Sequence, residues 1–223
     1  TLPILSNILL SADNSKLILT ATDLDIIFIH QINNIEVLEE GKTTTTSSIM
    51  YDIVRKISSG KKINLTLNDK NKLHLESDKS IFNLNCISHS EYPATDENFN
   101  HNEFSIKSKQ FLKLLNKCKF SVSNDETRHY LSGIYLHQTE VDEKNYLTAV
   151  ATDSHRMSIS KIRLEKQIDF EPIILPKKTI FQLCTILDNY DGEVKISNMK
   201  SKIKFELSNS ILISKLIDGK FPN

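Results

Sequence analysis

Cysteine is scarce, and what there is lies far apart. Cys86, Cys118 and Cys184 form no C-x-x-C pair, so neither a disulfide framework nor a structural zinc site is indicated, and a reducing cytoplasm is the expected setting. Glycine is scarce too. Only five are present, with no G-x-G-x-x-G and no G-K-[ST] element, which leaves no cradle for nucleotide phosphates. No apolar run approaches the length of a membrane span. The seven histidines (30, 74, 89, 101, 129, 137 and 155) show no H-x-x-x-H or similar ligand spacing, so metal catalysis has no support and neither metal nor cofactor is expected. No charge of one sign prevails, since 28 basic residues face 28 acidic ones. A simple nucleic-acid-binding module would carry a basic excess. Any such role must therefore rest on where the charges sit. The chain opens Thr1-Leu2-Pro3, without an initiator Met or a basic-then-apolar leader, and this start reads as a cut in a longer protein.

What is present is a repeat. The 223 residues, 39% hydrophobic and 25% charged, have the make-up of a soluble globular protein with room for two ordinary domains. Ala21-Thr22-Asp23 returns as Ala151-Thr152-Asp153, an offset of 130, each time after an apolar strand-like run. Met50, Ile53, Val54 and Ile57 match Ile180, Leu183, Cys184 and Leu187 at the same offset. Both sets fall at i, i+3, i+4, i+7, one stripe of an amphipathic helix. A glycine suited to a left-handed C-cap stands after each helix, Gly60 and Gly192. Leu73 and Leu75 match Ile203 and Phe205, alternating with polar residues as half-exposed antiparallel strands do. Each unit closes on an aromatic followed by proline, Tyr92-Pro93 and Phe221-Pro222, and Leu5 to Leu10 resembles Leu131 to Leu136 at an offset of 126.

The second unit begins with a segment the first lacks. Phe104 to Phe120 reads as a strand and a helix, with Ser108 as N-cap and Phe111, Leu112, Leu115 and Cys118 as its apolar stripe. A partner for this segment in the first unit would fall before residue 1. A complete unit is thus expected to run strand, helix, several strands, second helix, three strands. Helices gathered on one side of antiparallel sheet give an α+β arrangement. The expected domains are residues 1–95 and 103–223, joined by the polar stretch from Ser88 to Asn102.

These residues resemble a known family, the bacterial DNA polymerase III beta subunit or sliding clamp. The resemblance is carried by Thr1-Leu2-Pro3-Ile4-Leu5, Ala21-Thr22-Asp23-Leu24, Arg128-His129-Tyr130-Leu131-Ser132-Gly133, Ala151-Thr152-Asp153-Ser154-His155-Arg156 and Ser214 to Pro222. It implies tandem clamp domains, three to a subunit, two subunits closing head to tail as a ring around duplex DNA. On that pattern the chain holds most of the first domain and nearly all of the second, and the third is absent. The implied function is non-catalytic: to encircle DNA and tether the replicative polymerase. The implied partners are duplex DNA, the polymerase III alpha subunit, the clamp loader and other proteins carrying a clamp-binding motif.

Lys109, Lys113 and Lys117 recur every four residues on the helix face opposite Phe111, Leu115 and Cys118. Lys177 and Lys178 open the other helix of that unit, and Arg55 and Lys56 lie on the helix of the first. By themselves such stripes read as a solvated helix face; with the repeat and the resemblance they imply a basic lining that touches phosphates without reading sequence. The loop before Leu131 resembles one that meets DNA in the family, and here carries Asn124, Asp125, Arg128, His129 and Tyr130. Asp125 and His129 depart from the family pattern, and Tyr130 reads equally well as a core residue. The family's pocket for partner peptides carries over to Leu131, Thr152, His155, Arg156, Met157 and Pro222, with Ser154 where glycine is usual. Phe82 and Leu84 share one face of the last strand of the first unit; ordinarily a core face, it implies here the junction between subunits.

Two other classes compete. A two-lobed hydrolase would need converging acid, base or nucleophile groups. Asp153-Ser154-His155 does not supply them, because neighbours on an extended segment point to opposite faces. Asp153 also has a counterpart in Asp23, where no histidine follows, so a structural turn is the simpler account. A repeat scaffold binding only proteins is the other alternative.

Overall fold

The computed structural model describes residues 2–94 and 103–222, the side chain of Glu126 apart. Thr1, His101, Asn223 and most of the stretch joining the units lie outside them. The chain divides into two compact units, Thr1–Asp96 and Glu97–Asn223.

The first unit consists of β1 (Asn7–Asp13), β2 (Lys16–Thr22), β3 (Ile26–Asn33), β4 (Gly41–Thr46), α1 (Ser47–Val54), β5 (Asn64–Leu67), β6 (Lys72–Ser77) and β7 (Ser80–Ile87). Its strands pair antiparallel in the order β5-β6-β7-β4-β1-β2-β3. The second unit consists of β8 (Glu103–Lys107), α2 (Ser108–Cys118), β9 (Gly133–Val141), β10 (Lys144–Thr152), β11 (Met157–Arg163), β12 (Ile173–Pro176), α3 (Lys177–Asp188), β13 (Glu193–Asn198), β14 (Lys202–Glu206) and β15 (Ser210–Lys215). Within it β11-β10-β9-β12 run side by side, as do β15-β14-β13-β8. This is the expected α+β class. β1 to β4, α1 and β5 to β7 correspond in order to β9 to β12, α3 and β13 to β15, so the repeat read from spacing is a repeat of topology.

Burial explains the pattern. In α2 the spacing i, i+3, i+4, i+7 puts Phe111, Leu114, Leu115 and Cys118 in the interior. Leu114 therefore takes the place expected of Leu112, which sits at the margin of the stripe and is half-buried. Ile180, Leu183 and Leu187 of α3 are fully buried, and the rings of Phe111 and Phe205 lie 5.8 Å apart. α1 is different: it buries none of its residues, Met50 and Ile53 only pack partly against Leu10, Leu73 and Leu84, and Val54 is 38% exposed. Among the described residues it is the first unit's sole α-helix, whereas α3 leans on α2.

Two expected helix signals act otherwise. Ser108 is no N-cap; it is the first residue of α2, and its Oγ donates to the Tyr190 carbonyl at 2.9 Å and accepts from the Gly192 N–H at 3.2 Å. It thereby staples the start of α2 to the loop after α3. Gly192 does not adopt a left-handed conformation; a Cβ there would meet the Tyr190 hydroxyl at 2.5 Å, so close packing selects it. Gly60 is left-handed at φ +82°, but in a turn six residues beyond the end of α1.

The Ala-Thr-Asp motif builds the same turn twice. In the second unit Thr152 Oγ1 donates to the Arg156 carbonyl at 2.8 Å and accepts from the Ser154 N–H, while Asp153 Oδ1 accepts from the N–H groups of His155 and Arg156, both at 3.0 Å. In the first, Thr22 does the same with Ile26 and Leu24, and Asp23 with Asp25 and Ile26. The third turn residue is left-handed in both, Ser154 at φ +75° and Leu24 at φ +76°. Leucine resists that conformation by roughly 1–2 kcal/mol, and glycine does not. Leu24→Gly is therefore expected to be more stable than Leu24→Ala, which removes the same 45%-exposed side chain without freeing the backbone. Urea melts of the two should differ by up to about 1 kcal/mol, after discounting glycine's greater freedom in the unfolded chain.

Candidate peptide pocket and nucleic-acid interface

Beside the Asp153 turn, in the second unit, Leu131, Ile174 and Phe221 are buried together, with Tyr130, Tyr135, Val150 and Ile217 packed against them. The Phe221 ring stacks on Tyr135 at 5.0 Å with 3° between the planes, and Tyr135 on His137 at 4.6 Å. Of the expected pocket residues, Leu131 is 2% exposed and so forms a floor, not an open wall. Thr152 is half-buried, Met157 is 63% exposed, and His155, Arg156 and Pro222 are exposed. Ile174, Tyr135, Ile217 and Phe221 are additions to the pocket residues expected from sequence. Phe221 is legible there only as the aromatic that closes the repeat; Tyr92, its counterpart, is likewise buried, with its hydroxyl donating to the Thr20 carbonyl at 2.9 Å.

Polar groups of the Asp153 turn are already engaged. Asp153 is held below the usual carboxylate range, first by the N–H groups of His155 and Arg156 and then by the Arg156 guanidinium, 3.0 Å away. The carboxylate thus takes the backbone of His155, not its ring, which answers the triad reading. Arg156 also lies over the Phe120 ring at 5.6 Å.

The loop from Asn124 to Tyr130 is folded back on itself. Asp125 caps its 3-10 turn and is held down to about 2 by the Thr127 hydroxyl and then by Arg128. Arg128, expected to face DNA, is committed on both sides: its Nε donates to Asp125 at 2.8 Å and its Nη1 to the Ser154 hydroxyl at 2.6 Å. The Ser154 hydroxyl thus joins this loop to the Asp153 turn. Asn124 accepts from the Lys177 ammonium. His129 is exposed with its Nε2 at 3.1 Å from the Asp218 carbonyl, and Tyr130 is half-buried on the pocket floor, between the two roles expected of it.

Cations crowd the solvent side of the helix pair. α2 and α3 run in opposite directions, since Ser108 and Lys109 reach the end of α3 at Tyr190 and Asp188, while Lys119 lies over Phe181 near its start. Lys109, Lys113 and Lys117 are all exposed, and Lys109 donates to the Asp188 carbonyl at 3.1 Å. Lys113 and Lys117 border a groove of about 270 Å³ alongside β11. Lys178 is exposed and Lys177 half-buried. In the first unit Arg55 and Lys56 are exposed, with Arg55 3.1 Å from Asp52 and over the Tyr51 ring.

At β7 the expected face divides. Leu84 is 6% exposed and belongs to the first unit's own core, so it is not a surface residue. Phe82 is half-buried, and beside it Ile81 is 59% exposed. β7 is flanked by β6 along Ser80–Asn85 but meets β4 only at Cys86 and Ile87. Among the described residues the other edge of Ser80 to Leu84 thus faces no strand of its own unit.

No group of His, Cys, Asp or Glu among the described residues is arranged to hold a metal ion, and no helix is long and apolar enough to cross a membrane. Residues 105–223 match the family profile of the DNA polymerase III beta subunit, central domain, and residues 1–96 that of its N-terminal domain. The chain is 33% identical over 226 residues to a beta sliding clamp of Caulobacter vibrioides and 30% identical over 223 residues to that of Escherichia coli (strain K12), each comparison covering 100% of this chain and 60% of the other. It is similar to the structure of a DnaN sliding clamp (DNA polymerase III subunit beta) from Bartonella birtlesii bound to griselimycin, with a TM-score of 0.94, 33% identity, and coverage of 100% of this chain and 60% of that one. The chain thus spans about 60% of the length of the relatives it matches.

Proposed function

Because the chain belongs to the DNA polymerase III beta subunit family, we propose that it is part of a sliding clamp, a non-catalytic cytoplasmic ring that encircles duplex DNA and tethers the replicative polymerase. The observation that carries this reading is the exposed Lys109, Lys113 and Lys117 face of α2, turned to solvent by the burial of Phe111, Leu114, Leu115 and Cys118. Phosphate contacts made by such a face are sequence-blind and weaken with salt. That is what sliding requires: grip without register. Within the second unit Lys177, Lys178, Asn124 and His129 add to these contacts, and in the first unit Arg55 does so more weakly, being 3.1 Å from Asp52, whereas Arg128 contributes mainly by bracing its loop.

The floor of Leu131, Ile174 and Phe221 suits an apolar anchor of a partner peptide, from the polymerase alpha subunit or the clamp loader, with the exposed Met157 and Pro222 available for further apolar contact. Phe82, on a strand edge that among the described residues faces no strand of its own unit, supports a role in the junction between subunits.

The ring reading is tested on the full-length parent protein. Loaded on nicked circular plasmid, it is expected to co-elute with the DNA at physiological salt and to be lost once the plasmid is cut to a linear form. Equal retention on both forms would point to ordinary surface binding and overturn the ring; no retention on either would favour a protein-only scaffold.

A further inference from the structure

Three large aromatic rings stand in solvent on or beside the helices that carry exposed cations: in the first unit Tyr51 on α1 at 65% exposure, and in the second Phe181 on α3 at 47% and Phe120, just after α2, at 57%. Single exposed apolar residues are ordinary and need no explanation. All three share one further feature, and two of them share a second. Each ring has a cation over one side, Arg55 over Tyr51 at 5.6 Å, Lys119 over Phe181 at 5.8 Å and Arg156 over Phe120 at 5.6 Å. And Tyr51 and Phe181 occupy the same position of the repeat, 130 residues apart, one place after the matched pair Met50 and Ile180. Phe181 and Phe120 are joined through Lys119, which precedes Phe120 in the chain and lies over Phe181.

A duplex hides the faces of its bases, so exposed rings add little to the hold on double-stranded DNA. A single strand offers those faces, and every base has one. Ring stacking beside lysine and arginine is how proteins hold single strands without reading sequence. We propose that these ring-and-cation pairs bind single-stranded DNA, the rings stacking on unpaired bases while the flanking lysines meet the phosphates. The proposal rests on the reading that the helices of each unit meet DNA, and adds that each unit distinguishes unpaired from paired strands.

The test measures fluorescence anisotropy of the 223-residue chain with labelled dT16 and with a duplex of the same length and mixed sequence at low salt. One variant carries Tyr51→Ala, Phe120→Ala and Phe181→Ala; a second carries leucine at the same three positions, keeping apolar bulk but no stacking face. Both are expected to weaken dT16 binding by about fivefold or more, in line with the loss of base–ring stacking, with duplex binding unchanged. The proposal is overturned if the leucine variant binds dT16 as the parent does, if the parent binds no dT16, or if both probes weaken in parallel. A chain that holds dT16 through these rings yet ignores the duplex would uphold the proposal, while the ring itself stands or falls on plasmid retention of the full-length protein, so the two fail separately.

Discussion

Gly133→Ala is expected to destabilise the second unit by about 2–4 kcal/mol, the range of an overpacked or strained interior site. Gly133 opens β9 and pairs with Pro176 of β12. A Cβ added there would overlap the Leu175 carbonyl oxygen and come within 2.9 Å of Ile174 Cγ2. The oxygen is backbone in a four-stranded sheet and cannot swing aside as a side chain could. Ile174 and Leu175 are also fixed, being 3% and 0% exposed. Strain at this point passes directly to the pocket floor, because Ile174 packs on Leu131 and Phe221. Gly41 is the matched control. It too opens a strand, β4, but a Cβ there meets nothing within 4 Å and its φ is not left-handed. Gly41→Ala should leave stability unchanged or slightly raised, through reduced freedom of the unfolded chain. Two-probe urea denaturation, reading far-ultraviolet circular dichroism and tyrosine fluorescence, separates the outcomes. Equal midpoints for the two variants would show that the close approach at Gly133 is relieved at little cost.

The repeat is legible in the sequence because it is written in side-chain period. Apolar residues at i, i+3, i+4, i+7 in Ile180, Leu183, Cys184 and Leu187, and alternation in Leu73-His74-Leu75, are local signals that tertiary packing keeps. The Asp153 turn is legible by comparison alone, since the same three residues stand at Asp23 with no histidine after them. The failures share a physical cause. Sequence reads Ser108 and Gly192 through their neighbours in the chain, whereas the partner that decides the role of both is Tyr190. The pocket floor stays hidden for the same reason, as it is assembled from residues 131, 135, 174, 217 and 221 on separate segments. Arg128 shows the converse. Its charge suggests an open contact, but Asp125 and Ser154 take up its donors, and Ser154 reaches it from a turn 26 residues further along the chain.

Lys113→Gln with Lys117→Gln is expected to weaken duplex binding by on the order of tenfold at low salt and to make the salt dependence of affinity shallower by roughly 2, one for each phosphate left without its lysine. Adding Lys109→Gln should contribute less than either, because the Lys109 ammonium already donates to the Asp188 carbonyl. Placement decides the effect, since a chain of zero formal net charge has no general attraction for DNA and must concentrate its cations. Lys61→Gln with Lys62→Gln removes the same two charges, but from lysines lying 3.6 Å from Asp78 and 3.3 Å from Glu36. A cation beside a carboxylate offers a phosphate little net field, so this second pair should leave affinity and salt slope nearly as they were. If instead both pairs weaken binding alike, total charge governs the association and the α2 face holds no special position. If neither does, the lysines of α2 are a solvated surface, and DNA would have to be held elsewhere or not at all.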